Sequence, residues 1–270
     1  MKKKILAIIG CGTIGEALAV HAGKNLTSHI EKIILCDIDQ DKTSKLAGKI
    51  QGADITADLN EAIEKADIVV EAVSPKVALE VLELATKNKK DVMIMSIGGL
   101  LGNEKMLSEA SDSGIKVMLP SGAIAGIDAV KAAKTAGIES VTLTTRKSPK
   151  SIKGAPYLEA NGIDVDKLDK ETVIFEGNAL EAMKAFPKNI NVSALLSIAG
   201  IGGEKTNVSI VVSPEYTKNT HEIEVKSAAG VITARTANVP SPSNPKTSYL
   251  AALAAIASLE GYFNTVRIGT

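Results

Sequence analysis

The stretch IIGCGTIGEAL, residues 8–18, sets three glycines, Gly10, Gly12 and Gly15, within six residues of an otherwise apolar run. Ordering glycine costs more backbone entropy than ordering any other residue, so three so close together need a reason. A short aliphatic run, KKILAIIG (3–10), leads in, and GEALAVHAGKN (15–25) leads out with helical spacing. The pattern is therefore Gly-x-Gly-x-x-Gly between a buried strand and a helix, the loop that cradles a dinucleotide pyrophosphate. Gly10 permits the tight turn. Gly12 withholds a Cβ so that backbone can approach the phosphates. Gly15 lets the helix pack closely on the strand. Thr13 and Ile14 open the helix, whose first N–H groups face an anion.

The second strand, EKIILCDID (31–39), ends in Asp37, 22 residues beyond Gly15. An acid about 20 residues on hydrogen-bonds the adenosine ribose and repels a 2′-phosphate. NAD is thus favoured over NADP. Asp39 is a second candidate for the same role, and Lys42 and Lys45 nearby keep some NADP use compatible with the sequence.

Outward from this loop, strand and helix alternate. TSKLAGKIQ (43–51), ADLNEAIEKA (57–66), KVALEVLELATKNK (76–89) and NEKMLSEASDSG (103–114) read as helices. DIVVEAVS (67–74), DVMIMSIGGL (91–100) and IKVMLPSG (115–122) read as strands. Alternation of this kind means a parallel sheet covered by helices. Beyond residue 122 the texture changes. ESVTLTTRKS (139–148), ETVIFEG (171–177), TNVSIVVSP (206–214), THEIEVKSAAG (220–230) and VITARTANVP (231–240) alternate polar with apolar, each with one face buried. NALEAMKAF (178–186) and INVSALLSIAG (190–200) read as helices among them, and the first two strands are joined by a long irregular segment. The expected fold is α/β: a Rossmann-type doubly wound parallel sheet over 1–122, and a second α/β substrate and dimerisation domain over 123–245 with a mixed or antiparallel sheet. The Ala/Leu-rich end is expected to form a last helix, 246–270, packing back against the first domain.

Composition narrows the function. The 270 residues carry 31 Lys+Arg against 31 Asp+Glu, a balance with no nucleic-acid footprint and no pull toward an anionic membrane. The apolar run at the start breaks at Gly10, too short for a secretory core, and no stretch approaches the ~20 apolar residues of a membrane span. Cys11 and Cys36, both in apolar strand context, read as buried thiols of a reducing cytoplasm. No metal site is expected.

The chemistry should come from the second domain, which has no cysteine and a single histidine, His221, in KNTHEIEV (218–225). Imidazole exchanges a proton near neutrality and suits a reaction coupled to hydride transfer. A histidine merely satisfied on a sheet face is the other reading. His21 and His29 read as surface or packing positions. PSGAIAGIDAV (120–130) puts Ser121 and small residues at the carboxyl edge of the parallel sheet, where ligands bind. PSPSNPKTSYL (240–250) sets Lys246, Thr247 and Ser248 at the expected start of the last helix, an arrangement suited to an anion. FPKNINVSALL (186–196) holds Asn189 and Asn191 before another helix. Together these stretches favour a carboxylate substrate.

The blocks GCGTIG, PSGAIAGIDAV, TTRKSP, FPKNINV, NTHEI and NPKTSYLAALAAIA resemble, in this order and over essentially the whole chain, the L-aspartate dehydrogenase family. The resemblance implies NAD(P)-dependent conversion of L-aspartate through iminoaspartate to oxaloacetate and ammonia, with iminoaspartate feeding NAD biosynthesis. It implies a homodimer. It assigns the catalytic histidine to His221, as general base to the water that attacks the imine. A cofactor-contacting asparagine matches Asn191, with Asn189 as the alternative, and a cofactor-contacting alanine matches Ala125 or Ala123. Lys246, Thr247 and Ser248, then Arg146 and Ser121, are the expected partners of the substrate carboxylates. Gly99 in SIGGL stands where alanine is expected. Competing readings are a reductase of the homoserine dehydrogenase or dihydrodipicolinate reductase type, or a non-catalytic NAD sensor. The first two call for a lysine placed for hydride-transfer chemistry, and the sensor has no use for a titrating His221.

Overall fold

A computed structural model describes residues 2–187, 190–242 and 244–269, apart from the side chains of Pro245 and Lys246. The chain forms two compact units, Met1–Pro120 with Ala251–Val266, and Ser121–Leu250 with Arg267–Thr270.

The first unit runs β1 (Lys4–Ile9), α1 (Thr13–Asn25), β2 (Ile30–Cys36), α2 (Gln40–Ala47), β3 (Asp54–Thr56), α3 (Leu59–Lys65), β4 (Ile68–Glu71), α4 (Pro75–Lys87), β5 (Asp91–Ile94), α5 (Lys105–Asp112) and β6 (Val117–Met118). The six strands are all parallel, in the order β3-β2-β1-β4-β5-β6. Aliphatic runs such as Leu6–Ile9 and Ile68–Val70 are buried throughout, as strands covered on both faces must be. The strand order reverses between β1 and β4, the switch point at which doubly wound sheets bind ligands.

Several boundaries differ from the pattern reading. Helix α2 starts at Gln40 rather than Thr43, because the Asp39 carboxylate caps it by accepting the Lys42 N–H at 3.2 Å. The run DVMIMSIGGL leaves the sheet after Ile94 and makes a 3-10 turn over Ile97–Leu100. At Gly99 a Cβ would stand 2.1 Å from the Pro75 carbonyl oxygen, so this backbone admits no alanine without moving α4. The edge strand β3 is only three residues long, too short for periodicity to reveal.

The second unit begins with α6 (Ile127–Ala136) and β7 (Ile138–Lys147). Its irregular segment contains two short helices, α7 (Pro149–Ile152) and α8 (Pro156–Ala160), each with proline in its first turn. Then come β8 (Thr172–Asn178), α9 (Ala179–Ala185), α10 (Asn191–Ala199), β9 (Thr206–Val212), β10 (Asn219–Ser227) and β11 (Gly230–Asn238). The sheet order is β11-β10-β7-β9-β8, antiparallel except for the β7/β9 pair. It is the mixed sheet that the alternating strands call for.

A two-stranded ribbon, β12 (Pro240–Ser241) with β13 (Asn244–Ser248), precedes α11 (Tyr249–Phe263). The last helix therefore starts at Tyr249, and residues 246–248 belong to a strand. A stripe of Ala252, Ala255 and Leu259 buries α11 in the first unit, where Ala255 and Leu259 join a core with Ile8, Leu18 and Leu26. His21 Nε2 lies 2.8 Å from Glu260 Oε1, His29 stacks on Phe263, and the Tyr262 hydroxyl donates to Asp91 at 2.6 Å. Both histidines of the first unit thus fasten this helix. No helix among the described residues is long and apolar enough to cross a membrane.

Candidate active site

The glycine loop explains its own composition. Gly10 has φ +99°, and a Cβ there would lie 2.6 Å from the Ala72 carbonyl oxygen. A Cβ on Gly15 would lie 1.8 Å from the Gly10 carbonyl oxygen. Both glycines are demanded by the protein's own backbone. Around Gly12, in contrast, nothing stands within 4 Å of where a Cβ would be. Its bare surface faces open space at the N-cap of α1, where no side chain caps the helix. A dinucleotide pyrophosphate fits this cradle, with the first N–H groups of α1, from Thr13 and Ile14 onward, to receive it.

Asp37 closes β2 beside this loop. Its Oδ2 accepts the Cys11 N–H at 2.8 Å and its Oδ1 accepts the Asp39 N–H at 2.9 Å. The carboxylate therefore braces the glycine loop. Asp39 caps α2 and pairs with the Lys42 ammonium at 3.1 Å. Burial, then the Asp37 charge, pushes both Cys11 and Cys36 thiols up to about 11, so neither is a nucleophile at neutral pH.

The sequence reading missed Glu71, which is fully buried at the end of β4. Its Oε1 accepts the N–H groups of Val73 at 2.7 Å and Ser74 at 3.0 Å, and the Ser96 hydroxyl at 2.9 Å; its Oε2 accepts the Ser96 N–H at 2.9 Å. Burial raises its carboxyl above the usual range, opposed by these bonds. Glu71 ties the β4–α4 loop to the end of β5 at the sheet's carboxyl edge. An acid closing the apolar run DIVVE is the signal that would have marked it.

In the second unit, pairing registers sort the candidates by face. His221 is the cross-strand partner of Thr145 on one side and of Thr236 on the other. Side chains two apart share a face, so Thr145, Lys147, His221, Thr236 and Asn238 lie together at one end of the inner face. Most of the rest of that face is apolar, with Val141, Leu143, Ile223 and Val225 buried, and Thr206 and Ser227 lie at its far end. A polar corner in an apolar face marks a site rather than a core.

His221 is 8% exposed, and its Nδ1 lies 3.0 Å from the Thr145 hydroxyl oxygen. Burial, with the Lys147 charge second, pushes its imidazole down to about 3, so it is neutral at physiological pH. Lys147 is itself buried, and burial pushes its ammonium down to about 8. A cavity of about 10 Å³, room for one water, is lined by Thr145, Lys147 and Ser193 among apolar side chains. Lys147 was missed because a lysine reads as a solvated position. Its phase with Val141, Leu143 and Thr145 gave the signal. It also removes one discriminator, since a lysine does stand beside the histidine.

The loop SGAIAG enters the same corner. The Ala123 carbonyl accepts the Thr236 hydroxyl at 2.7 Å and the Asn238 amide at 3.0 Å, and Ser248 donates to Asn238 Oδ1 at 2.9 Å. Ala123 is buried, Ala125 exposed and Ser121 half-buried. Thr247 and Ser248 end a strand, so the expected helix-start geometry for 246–248 does not hold, and the Ser248 proton goes to Asn238 rather than to a ligand. Arg146 is separated from His221, because neighbouring strand residues face opposite ways. It lies 3.6 Å from Glu222, which also faces Arg235, on the other face of the sheet. Asn191 opens α10 and is exposed. Asn189 and the side chain of Lys246 lie outside the described residues.

The fold and these sites define a two-unit oxidoreductase that uses a nicotinamide dinucleotide, NAD or NADP. Residues 5–99 match the family described as NADP oxidoreductase, coenzyme F420-dependent, and residues 128–262 match that described as aspartate dehydrogenase, C-terminal. The chain is 43% identical to an L-aspartate dehydrogenase of Methanococcoides burtonii, over 98% of this chain and 99% of the relative. It is 40% identical to one of Nitrosopumilus maritimus, over 99% and 100%. A crystal structure of aspartate dehydrogenase from Thermotoga maritima matches with a TM-score of 0.77 and 29% identity, each chain covered in full. A homoserine dehydrogenase from Thiobacillus denitrificans shares the fold, with a TM-score of 0.64 at 17% identity over 96% of this chain and 73% of that one. The chain belongs to the L-aspartate dehydrogenase family.

Proposed function

We propose that this chain oxidises L-aspartate to iminoaspartate and hydrolyses the imine to oxaloacetate and ammonia, with NAD preferred over NADP. The observation that carries the reading is His221, neutral and braced by Thr145 in a polar corner of a largely apolar sheet face. Bound NAD supplies the acceptor for the hydride that leaves the aspartate α-carbon. The amino nitrogen loses a proton in the same oxidation, giving the C=N bond. Water then adds to that carbon, and the neutral imidazole takes its proton as general base. His221 returns its proton to the carbinolamine nitrogen, and as the C–N bond breaks the hydroxyl oxygen forms the C=O bond and gives its proton to water, releasing ammonia.

The chain's residues divide the remaining work. Gly10, Gly12 and Gly15 shape the pyrophosphate cradle, Asp37 meets the ribose, and Asn191, Ala123 and Ala125 complete cofactor contact. Ser121 and Thr247, with Lys246, receive the carboxylates. The domains follow the same division, cofactor in residues 1–122 and substrate in 123–245. The reactive imine supports a role as precursor for NAD biosynthesis, and two buried thiols fit the reducing cytoplasm. We also propose a homodimer through the outer face of the second sheet, where Val231 is 65% exposed among polar neighbours.

The test combines steady-state assay of L-aspartate with NAD and the His221→Ala variant. Turnover by the wild type, a kcat lower by roughly 10²–10⁴-fold in the variant, and unchanged NAD binding are expected. A folded variant with normal kcat removes His221 from the chemistry.

A further inference from the structure

The corner around Asn238 has a hydrogen-bond polarity that leaves no choice of direction. The Ala123 carbonyl oxygen can only accept, so the group facing it at 3.0 Å is the amide nitrogen of Asn238. The amide oxygen then faces Ser248 Oγ at 2.9 Å, and an amide oxygen also only accepts. Ser248 must therefore give its one proton to Asn238. Thr236 gives its proton to the Ala123 carbonyl at 2.7 Å, and its oxygen receives the second amide hydrogen of Asn238 at 3.2 Å. Asn238 is 5% exposed, so water does not compete for these bonds. The network joins three separate segments: the loop after the parallel sheet, the end of β11 and the end of β13.

A serine whose proton is committed offers other groups only lone pairs. Against a substrate carboxylate it would set oxygen against oxygen. Against an ammonium or iminium it accepts an N–H.

We infer that Ser248, oriented by Asn238, recognises the amino nitrogen of the substrate as a hydrogen-bond acceptor and is not a carboxylate partner. Asn238 is its positioning residue. The inference rests on the aspartate reading above and assigns a role within it. It also gives the site a direction. Aspartate and its imine both carry the N–H that Ser248 accepts. Oxaloacetate carries a carbonyl oxygen there instead, which an acceptor-only serine disfavours, so loss of ammonia weakens the hold on the product.

The experiment measures binding of L-aspartate and of succinate, the same dicarboxylate without nitrogen, to the NADH-saturated enzyme by cofactor fluorescence. Melting temperature and NADH affinity serve as controls for folding. Ser248→Ala is expected to weaken aspartate about tenfold or more, the scale of one charge-assisted hydrogen bond, and to leave succinate within about twofold. Asn238→Ala is expected to weaken aspartate relative to succinate by a smaller factor. In the double variant the aspartate-to-succinate ratio should equal that of Ser248→Ala alone, because Asn238 acts through the serine. Equal weakening of both ligands by Ser248→Ala would mean a carboxylate contact and overturns the inference. An unchanged aspartate affinity also overturns it, while leaving the function standing if the wild type turns aspartate over. A wild type that neither turns aspartate over with NAD nor binds it overturns both. Should Asn238→Ala not fold, the Ser248→Ala arm decides alone.

Discussion

Replacing Gly12 and Gly15 in turn by alanine separates what the loop does for the protein from what it does for the ligand. At Gly15 the new methyl would sit 1.8 Å from the Gly10 carbonyl oxygen, where real contacts stay above 3.0 Å. Strand and helix must part by about 1.2 Å, the difference between those two distances. Overpacking of this kind costs about 1–3 kcal/mol, which exceeds the ~0.5–1 kcal/mol that alanine gains over glycine inside a helix. The net cost is then up to about 2.5 kcal/mol, and with about 2–4 °C per kcal/mol for a domain of this size Tm should fall by up to roughly 10 °C. At Gly12 the backbone has φ −78° and ψ −167°, which alanine adopts freely, and no atom lies within reach of the methyl. Only the change of N-cap residue remains, worth about 0.5 kcal/mol, so Tm should stay within ~2 °C. The methyl nonetheless occupies the space assigned to the pyrophosphate. Losing hydrogen bonds to a charged group costs about 1.5–3 kcal/mol, so NAD should bind roughly 10–100-fold more weakly. Thermal melts and NAD titration on both variants read the two effects separately. A Gly12→Ala protein that binds NAD like the wild type would refute the cradle, and a Gly15→Ala protein that melts like the wild type would refute the backbone constraint.

On the proposed ribose contact, Asp37→Ser should weaken NAD about tenfold while NADP changes less, and loss of the bonds from the Cys11 and Asp39 N–H groups should touch both cofactors alike; a wild type that uses NADP far better than NAD contradicts the ribose assignment. The imidazole of His221 lies at about 3 in the folded chain, below its ordinary 6.5, so the unfolded chain binds the extra proton between those values. Stability from this group is thus present above about pH 6.5 and lost as pH falls toward 3. His221→Asn should flatten that acid limb in a Tm-against-pH series, and an unchanged slope would mean the ring is not held neutral by its surroundings. Light scattering of the native protein should give twice the chain mass; a stable, fully active monomer would dismiss the dimer.

Apart from the three-residue edge strand β3, the order of elements in the first unit, the glycine loop and the acid after β2 were legible in the sequence because each follows from a local rule. Period, turn chemistry and spacing act within a few tens of residues, and the alternating strands announced a one-sided sheet in the same way. One boundary that moved was set by a contact from elsewhere, the turn at Gly99 pressed against Pro75, whereas the start of α2 moved through a local cap by Asp39 that the hydrophobic period does not register. The corner around His221 depended on tertiary structure altogether. Thr145, Thr236 and Asn238 come from two strands of the mixed sheet, and only the pairing register puts them on one face with His221, while Ser248 reaches Asn238 from the ribbon. A shift of one residue in that register would turn every one of those strand side chains to the other face, which is where Arg146 is found. Burial likewise made Lys147 and His221 neighbours of altered basicity, since desolvation is a property of the packed sheet and of no residue by itself.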